Sequence, residues 1–464
     1  MPAAPHPRAP RSLRHPGAGA GGALSCGGAR RGAGTLAGGA GLVGSTARAG
    51  ARSLVVAGGG IPGLALALAL KRAHGEALGV TVCDPGLPAG GARQRGRAYA
   101  VAAGGRHLFE RLGIWDRIGP ARQPITDMVV SDSRLADPVR PVFLTFAPAP
   151  GDPEADAPEP FAHMVEAEPL LDALITAARA AGVGLAPTGL LRAEPERGAI
   201  RAHLGDGRAL RASLVVAADG AASRLREAAR IGWVGWRYPQ AGIVATIAHA
   251  RDHGGRAYEH FLPSGPFAIL PLPPGGALGH RASIVWTERE ADVPALLGGG
   301  PGEVLAEIER RFTPNRGEIA LESGPSAHPL AFGIARSFRA ERLALLGDAA
   351  HVIHPLAGQG LNLGLTSAAA LAEAVTEALR LGLDPGGPDV LRAYERARRF
   401  DTLAMAAATD GLNRLFSNDA LPLRLARDLG LGLVDRMPGL KRFFIDEAAG
   451  LRGTPPRLMR GEAL

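Results

Sequence analysis

Between Leu54 and Asp84 the chain carries an apolar run, Leu54-Val55-Val56-Ala57, then a glycine cluster, an alternation of Ala and Leu from Leu64 to Leu70, and a second apolar run, Val80-Thr81-Val82-Cys83. A short apolar run that ends in glycines reads as a buried strand, and the Ala/Leu stretch as a buried helix. Strand, glycine turn, helix, strand is the opening βαβ unit of a doubly wound sheet, which puts the chain in the α/β class.

The glycines sit at Gly58, Gly60 and Gly63, spaced GxGxxG between strand and helix. Missing side chains there permit a tight turn and close approach of a pyrophosphate, and the helix N-terminus supplies N–H donors. Asp84, at the end of the second strand, is placed to accept ribose hydroxyls. In a chain with 65 glycines the spacing alone is weak, and the flanking strands give it weight.

Two further segments deliver polar residues from strand ends. Asp219-Gly220-Ala221-Ala222-Ser223-Arg224-Leu225-Arg226 follows the strand-like Leu214 to Ala218. It reads either as part of a ligand crevice or as an ordinary turn with Asp or Ser capping a helix. The segment from Leu343 to Gly364 is the most specific in the chain. An apolar strand leads through Gly347 to Asp348, an acceptor suited to a sugar-alcohol hydroxyl, and Gly358-Gln359-Gly360 then exposes N–H groups where a helix begins. Such donors stabilise negative charge on a phosphate or a reduced ring. His351 and His354 lie three apart on a loop without a third ligand nearby, so no metal is expected.

Composition narrows the field. The formal charge of +8 is diffuse: of 52 basic residues only Lys71 and Lys441 are lysines, and no basic run is interleaved with aromatics, so nucleic acid is not an expected partner. Two cysteines, Cys26 and Cys83, with no CxxC pair, fit a reducing compartment. No stretch approaches the ~20 apolar residues of a membrane-spanning helix. Residues 1–50 hold six arginines and no Asp or Glu, and they lack hydrophobic periodicity. They read as a disordered leader, either an organelle transit peptide or a translated stretch ahead of the true start. The acidic, Pro-rich stretch 148–160 reads as a surface loop, and Gly298 to Gly302 as a turn before a helix.

In order and spacing, the three motifs resemble those of the class A flavoprotein monooxygenases: a dinucleotide fingerprint, a DG motif at Asp219 and a GD motif at Asp348. His354-Pro355-Leu356-Ala357-Gly358-Gln359-Gly360-Leu361-Asn362-Leu363-Gly364 is similar to the hallmark of the ubiquinone-biosynthesis hydroxylases. Tyr238-Pro239-Gln240, Phe261 through Leu272, and Ser283-Ile284-Val285-Trp286 support the resemblance, which covers roughly residues 52–450. One departure is Ser367, where the family pattern has Asp; that Asp is read as supporting a helix start, and Ser can still cap.

The resemblance implies a Rossmann-like, p-hydroxybenzoate hydroxylase-like FAD-binding domain with an inserted β-rich substrate domain and a helical C-terminus. The FAD-binding segments would be 51–127, 161–235 and 326–380, the substrate-domain segments 128–160 and 236–325, and the C-terminal region 381–464. FAD would be held by Gly58, Gly60, Gly63 and Asp84 at its ADP half, with Arg97 at the pyrophosphate or ribose and Gly347-Asp348 at the ribityl or pyrophosphate region. Gly358, Gln359, Gly360 and Asn362 would lie along the isoalloxazine. Asp219 and Arg226 would belong to the element associated with FAD and reduced nicotinamide, and Pro355 would line the reacting face.

The implied chemistry is hydroxylation of a polyprenylphenol ring through a flavin C4a-hydroperoxide, with O₂ as co-substrate and NAD(P)H or a ferredoxin as electron donor. Alternatives are a hydroxylase of a small soluble phenol and a non-catalytic subunit of a quinone-synthesis complex. No side chain is assigned a catalytic step. Phe261, Phe267, Leu270, Leu272 and Trp286 would either fill the core or exclude water from the pocket. The apolar periodicity from Leu412 to Phe444, beside several arginines, suits docking on the inner membrane face, on the enzyme's own body or on a like subunit. The expected location is the cytoplasm, or the mitochondrial matrix side if residues 1–50 are a transit peptide. Other ubiquinone-biosynthesis proteins are expected partners.

Overall fold

The computed structural model describes residues 52–135, 142–146, 160, 162–312, 316–355, 358–417 and 454–464. The leader 1–50, nearly all of the 148–160 loop and the periodic stretch beyond Ser417 lie outside the described residues.

Strand β1 (Arg52–Ala57) leads through Gly58-Gly59-Gly60 into helix α1 (Ile61–His74) and returns as strand β2 (Leu78–Cys83). Leu54, Val55, Val56 and Ala57 are all buried, so both faces of β1 are covered and the strand reads as a continuous apolar run instead of an alternating one. The sheet order is Arg339–Ala340, Leu343–Leu345, Leu214–Ala217, β1, β2, Gly184–Ala186, and all strands except the first run parallel. Registers Ala57↔Ala217 and Ala217↔Leu345 bring the C-terminal ends of three strands side by side. Gly58, Asp219 and Gly347 therefore emerge at one edge of the sheet, where ligand crevices form in doubly wound folds. Helix α1 is apolar around most of its circumference because it is enclosed, packing on β2 and on the helices Ala167–Ala180 and Gln359–Arg380.

A second, eight-stranded sheet has the order His351–Val352, Ile319–Ala335, Trp233–His249, His280–Arg289, Gly265–Leu272, Arg256–Leu262, Asp127–Asp132, Val142–Phe146. Its period-2 alternation separates two tasks. Ile243, Phe267, Ile284 and Trp286 pack with Val304 and Ile308 of the helix Pro301–Arg311, whereas Val244, Ala268, Ser283 and Val285 turn the other way and line a cavity. The strand Ile319–Ala335 runs unbroken through the expected segment boundary at 325/326. Its outer neighbour, His351–Val352, pairs only with Gly333 and Ile334, so Pro325 and Pro329 lie on an open edge that tolerates a missing donor.

A three-stranded sheet, β3 (Ala98–Ala102), Ala162–Glu166 and Arg122–Ile125, lies beside the same cavity. The helix Pro388–Phe416 packs on Gln359–Arg380, and a closing turn, Arg457–Arg460, buries Leu458 and Met459 there and on the helix Ala103–Arg111. The described residues fall within one compact unit.

Ser367 departs from its expected role. The helix it occupies begins at Gln359 with Gly358 as N-cap, so Ser367 sits inside the helix, buried, and caps nothing. Its hydroxyl faces Arg398 Nε at 3.4 Å. Arg398 is itself buried, and its nearest carboxylate is Asp401 at 3.2 Å on the same helix. A guanidinium already removed from water gains from a facing carboxylate, because its desolvation cost is spent in either case. Ser367→Asp is therefore expected to raise stability by about 1–3 kcal/mol, read as a higher urea midpoint; an unchanged or lower midpoint would remove the ion-pair explanation.

Candidate FAD and substrate site

The fingerprint glycines do three separate things. Gly58 has φ +113°, and a Cβ there would stand 2.0 Å from the Ala218 carbonyl oxygen; a Cβ on Gly63 would stand 2.3 Å from the Gly58 oxygen. These two positions let the turn and the helix close on the neighbouring strand. A Cβ on Gly60, by contrast, would meet nothing within 4 Å, because that residue faces the cavity. Gly60 is the N-cap of α1 and offers no side-chain cap, so the first-turn N–H groups remain available to an anion.

Asp84 lies where the sequence places it, with its carboxylate already engaged. Oδ2 accepts from Gly59 N at 2.7 Å, and Oδ1 accepts from Gly86 N at 2.6 Å and from Arg93 Nη1 at 2.9 Å. Three donors leave about one of a carboxylate's four lone-pair directions for a ribose hydroxyl. Arg93, which also donates to the Gly59 carbonyl, is a cavity residue that sequence reasoning passed over. It stands in a 3-10 segment, Leu87–Gln94, rich in Gly and Arg, with nothing in its spacing to single it out. Arg97 lines the cavity 3.5 Å from His328 Nε2.

Asp219 leans on Leu225 N through a long 3.5 Å contact, and its buried Oδ1 has no partner among the described residues. Asp219 borders the cavity, with that oxygen sealed behind the wall. Ser223 caps the helix that follows, accepting from Arg226 N at 3.1 Å, so the capping reading of this segment holds at Ser223. Arg226 does not line the cavity. Its guanidinium donates to Ala349 O at 3.1 Å and Ala221 O at 2.9 Å and lies 4.0 Å from the Trp233 ring, tying the loop after Asp219 to the turn holding Asp348.

Gly347 and Asp348 form a short 3-10 turn on the wall. Asp348 is accessible to the cavity and ringed by protein closely enough that desolvation raises its pKa. Gly358, Gln359, Gly360 and Asn362 also line the wall, as does the exposed Pro355. The Asn362 amide acts as a clamp: Oδ1 accepts from Ala102 N at 3.1 Å and Nδ2 donates to Ala100 O at 3.0 Å, pinning the helix start to the edge of β3. Among the described residues no group of three or more His, Cys, Asp or Glu side chains is suited to a metal. His351 and His354 border the cavity, their ring nitrogens sealed and without a hydrogen-bond partner among the described residues, and burial lowers both pKa values to about 4, so both are neutral at pH 7.

Gly58, Gly60, Gly63, Asp84, Arg97, Asp219, Gly347, Asp348, Pro355, Gly358, Gln359, Gly360 and Asn362 all border one cavity of about 1070 Å³. That is at the upper end of ordinary ligand sites and leaves room for a dinucleotide with a second molecule. Its fingerprint end presents N–H groups and carboxylates, and its far end is the apolar face of the eight-stranded sheet. The open N-terminus of α1 and the bare Gly60 on the cavity wall fit FAD.

The family described as an FAD binding domain matches residues 52–408. The ubiquinone hydroxylase UbiL of Rhodospirillum rubrum is 43% identical over 89% of this chain and 93% of its own length. The chain belongs to the ubiquinone-biosynthesis hydroxylases of the FAD-binding monooxygenase family. The 3-demethoxyubiquinol 3-hydroxylase of Escherichia coli is 33% identical over 86% of this chain and 98% of its own. Among solved structures, p-nitrophenol 4-monooxygenase PnpA from Pseudomonas putida superposes with a TM-score of 0.66 at 20% identity, covering 87% of this chain and 99% of that one, a likeness of fold. The expected α/β fold of the p-hydroxybenzoate hydroxylase type is thus the fold of this member, and the chain is an FAD-dependent monooxygenase.

Proposed function

We propose that this hydroxylase oxidises a ring carbon of a polyprenylated phenol on the way to ubiquinone. The observation that carries the reading is the continuity of the cavity, in which the dinucleotide-binding end opens directly onto an apolar sheet face. Bound FAD, once reduced, supplies the activation of O₂ and the transfer of one oxygen atom. The chain's residues bind and orient. Gly58 to Gly63 and the α1 N-terminus hold the pyrophosphate, Asp84 the ribose, Gly347 and Asp348 the ribityl chain, and Gly358 to Asn362 with Pro355 border the ring. Arg97 lies beside the pyrophosphate or ribose, and Asp219 borders the cofactor end of the cavity. Ala257, Ala268, Leu270 and Val285 give the substrate an apolar wall that excludes water.

The electron donor is NAD(P)H or a ferredoxin. Access of a prenylated substrate favours work at a membrane surface; no helix among the described residues is long and apolar enough to cross a membrane. Binding to the FAD-loaded enzyme tests the substrate class. Octaprenyl or decaprenyl phenols are expected to bind at least about tenfold more tightly than hydroxybenzoates, as burial of even a few isoprenoid methylenes supplies about 1.4 kcal/mol. Equal or reversed preference would assign a small soluble phenol instead.

A further inference from the structure

One ionisable side chain on the substrate wall has no structural task. Glu259 lies on the strand Arg256–Leu262, paired with Ala268 on one side and Val130 on the other. It is 5% exposed and borders the cavity. Among the described residues it has neither a hydrogen-bond donor nor an ion-pair partner, and its oxygens are not among the sealed, unsatisfied atoms of the interior. The carboxyl group therefore opens into the cavity.

Its surroundings on that face are apolar. Ala257, Pro266, Ala268, Leu270 and Val285 border the same space, with the hydroxyls of Ser283 and Thr287 beyond them. The titratable residue nearest in register on the same face is Asp132, opposite Phe261 one pair further along. Across the cavity stand His328, His351, His354, Arg97 and Asp348. No charge among them offsets the burial of Glu259, and desolvation pushes its pKa up to about 7. A carboxylate held without partners in an apolar wall is costly, and the cost is recovered when a ligand donor reaches it.

We propose that Glu259 accepts the hydrogen bond of the substrate's phenolic hydroxyl and takes its proton as the ring is oxidised. The proposal rests on the phenol-hydroxylase reading above. In the step, the substrate O–H bond breaks and the proton passes to a Glu259 oxygen. The electron pair stays on the phenolic oxygen and raises electron density at the ring carbon that receives the oxygen atom. That carbon loses its own proton to solvent on rearomatisation, and Glu259 returns its proton to the phenolic oxygen. The oxidant and the two electrons are those of the monooxygenase reaction itself. A base that titrates near neutrality is matched to this role, since it is ionised when needed and still basic enough to hold the proton.

The test uses oxidised, FAD-loaded enzyme without reductant, titrated with a phenol bearing a two-isoprene tail and, separately, with its methyl ether, binding being read from the flavin difference spectrum. Wild-type affinity for the phenol is expected to rise as pH rises through about 7, because the ionised carboxylate is the stronger acceptor, while affinity for the methyl ether stays flat. Glu259→Gln is expected to bind the phenol about tenfold more weakly at pH 8 with no pH dependence, and to bind the ether as wild type does. In turnover the same variant is expected to lose about 100-fold in kcat at pH 8 with a smaller change in KM, and Glu259→Asp to recover part of it. The Gln variant removes a buried charge, so retained flavin and an undiminished melting temperature are the expected controls.

If E259Q keeps the wild-type pH profile and kcat while the phenol is still hydroxylated, the role of Glu259 is overturned and the enzymatic reading stands. If the flavin-loaded wild type binds neither phenol nor ether, both fall together.

Discussion

Gly58→Ala is expected to yield protein that does not retain FAD through desalting and that unfolds at least about 3 kcal/mol more easily than wild type. The new Cβ would lie 2.0 Å from the backbone oxygen of Ala218, and the backbone at φ +113° is one that alanine rarely adopts. Neither side of the contact can give way, because Ala218 is joined to Ala57 by a backbone hydrogen bond of 2.7 Å inside the parallel sheet. Gly60→Ala provides the contrast. Its Cβ meets no protein atom within 4 Å, so the fold is expected to tolerate it, while FAD affinity is expected to fall at least about tenfold, the methyl group standing where the proposed pyrophosphate position requires open space. Flavin absorbance per protein after gel filtration and the urea midpoint read the two effects separately. A Gly60→Ala protein that holds FAD as wild type does would move the pyrophosphate away from this turn.

Asn362→Ala is the second large effect. It deletes the acceptor for Ala102 N and the donor to Ala100 O, leaving both backbone groups unpaired where β3 meets the helix that begins at Gln359. The expected loss is about 2–4 kcal/mol of stability, and FAD is expected to dissociate at least about tenfold faster, since this junction forms one wall of its cavity. Asn362→Asp retains the acceptor and lacks the donor, so it should fall between alanine and wild type. Stopped-flow release of FAD, followed by its fluorescence, measures the rate. Equal release rates in all three proteins would reduce Asn362 to a packing residue.

The sequence was readable where local chemistry and period coincide. Strand, glycine turn and enclosed helix from Arg52 to His74 follow from apolar runs and missing side chains within a few residues of each other. The strand ends at Asp219 and Asp348 were visible for the same reason. What stayed hidden depends on partners far apart in the chain. Arg93 matters because folding brings it back to Asp84 and Gly59. Arg226 spans to Ala349, and the guanidinium opposite Ser367 comes from the next helix, so no helix-start rule could describe that serine. Glu259 is hidden in another way. Its strand is covered on both faces, with Tyr258, His260 and Leu262 alternating against Ala257, Glu259 and Phe261, so period alone does not tell a cavity-facing carboxylate from a surface one.

The most direct test of the central claim is oxygen tracing. FAD-loaded enzyme, given a chemical reductant or its electron donor and a prenylated phenol under ¹⁸O₂, is expected to release a phenol heavier by one ¹⁸O atom, with no label incorporated from H₂¹⁸O in the reciprocal experiment. A protein that keeps its flavin and consumes O₂ yet leaves prenylated phenols unlabelled would contradict the assignment.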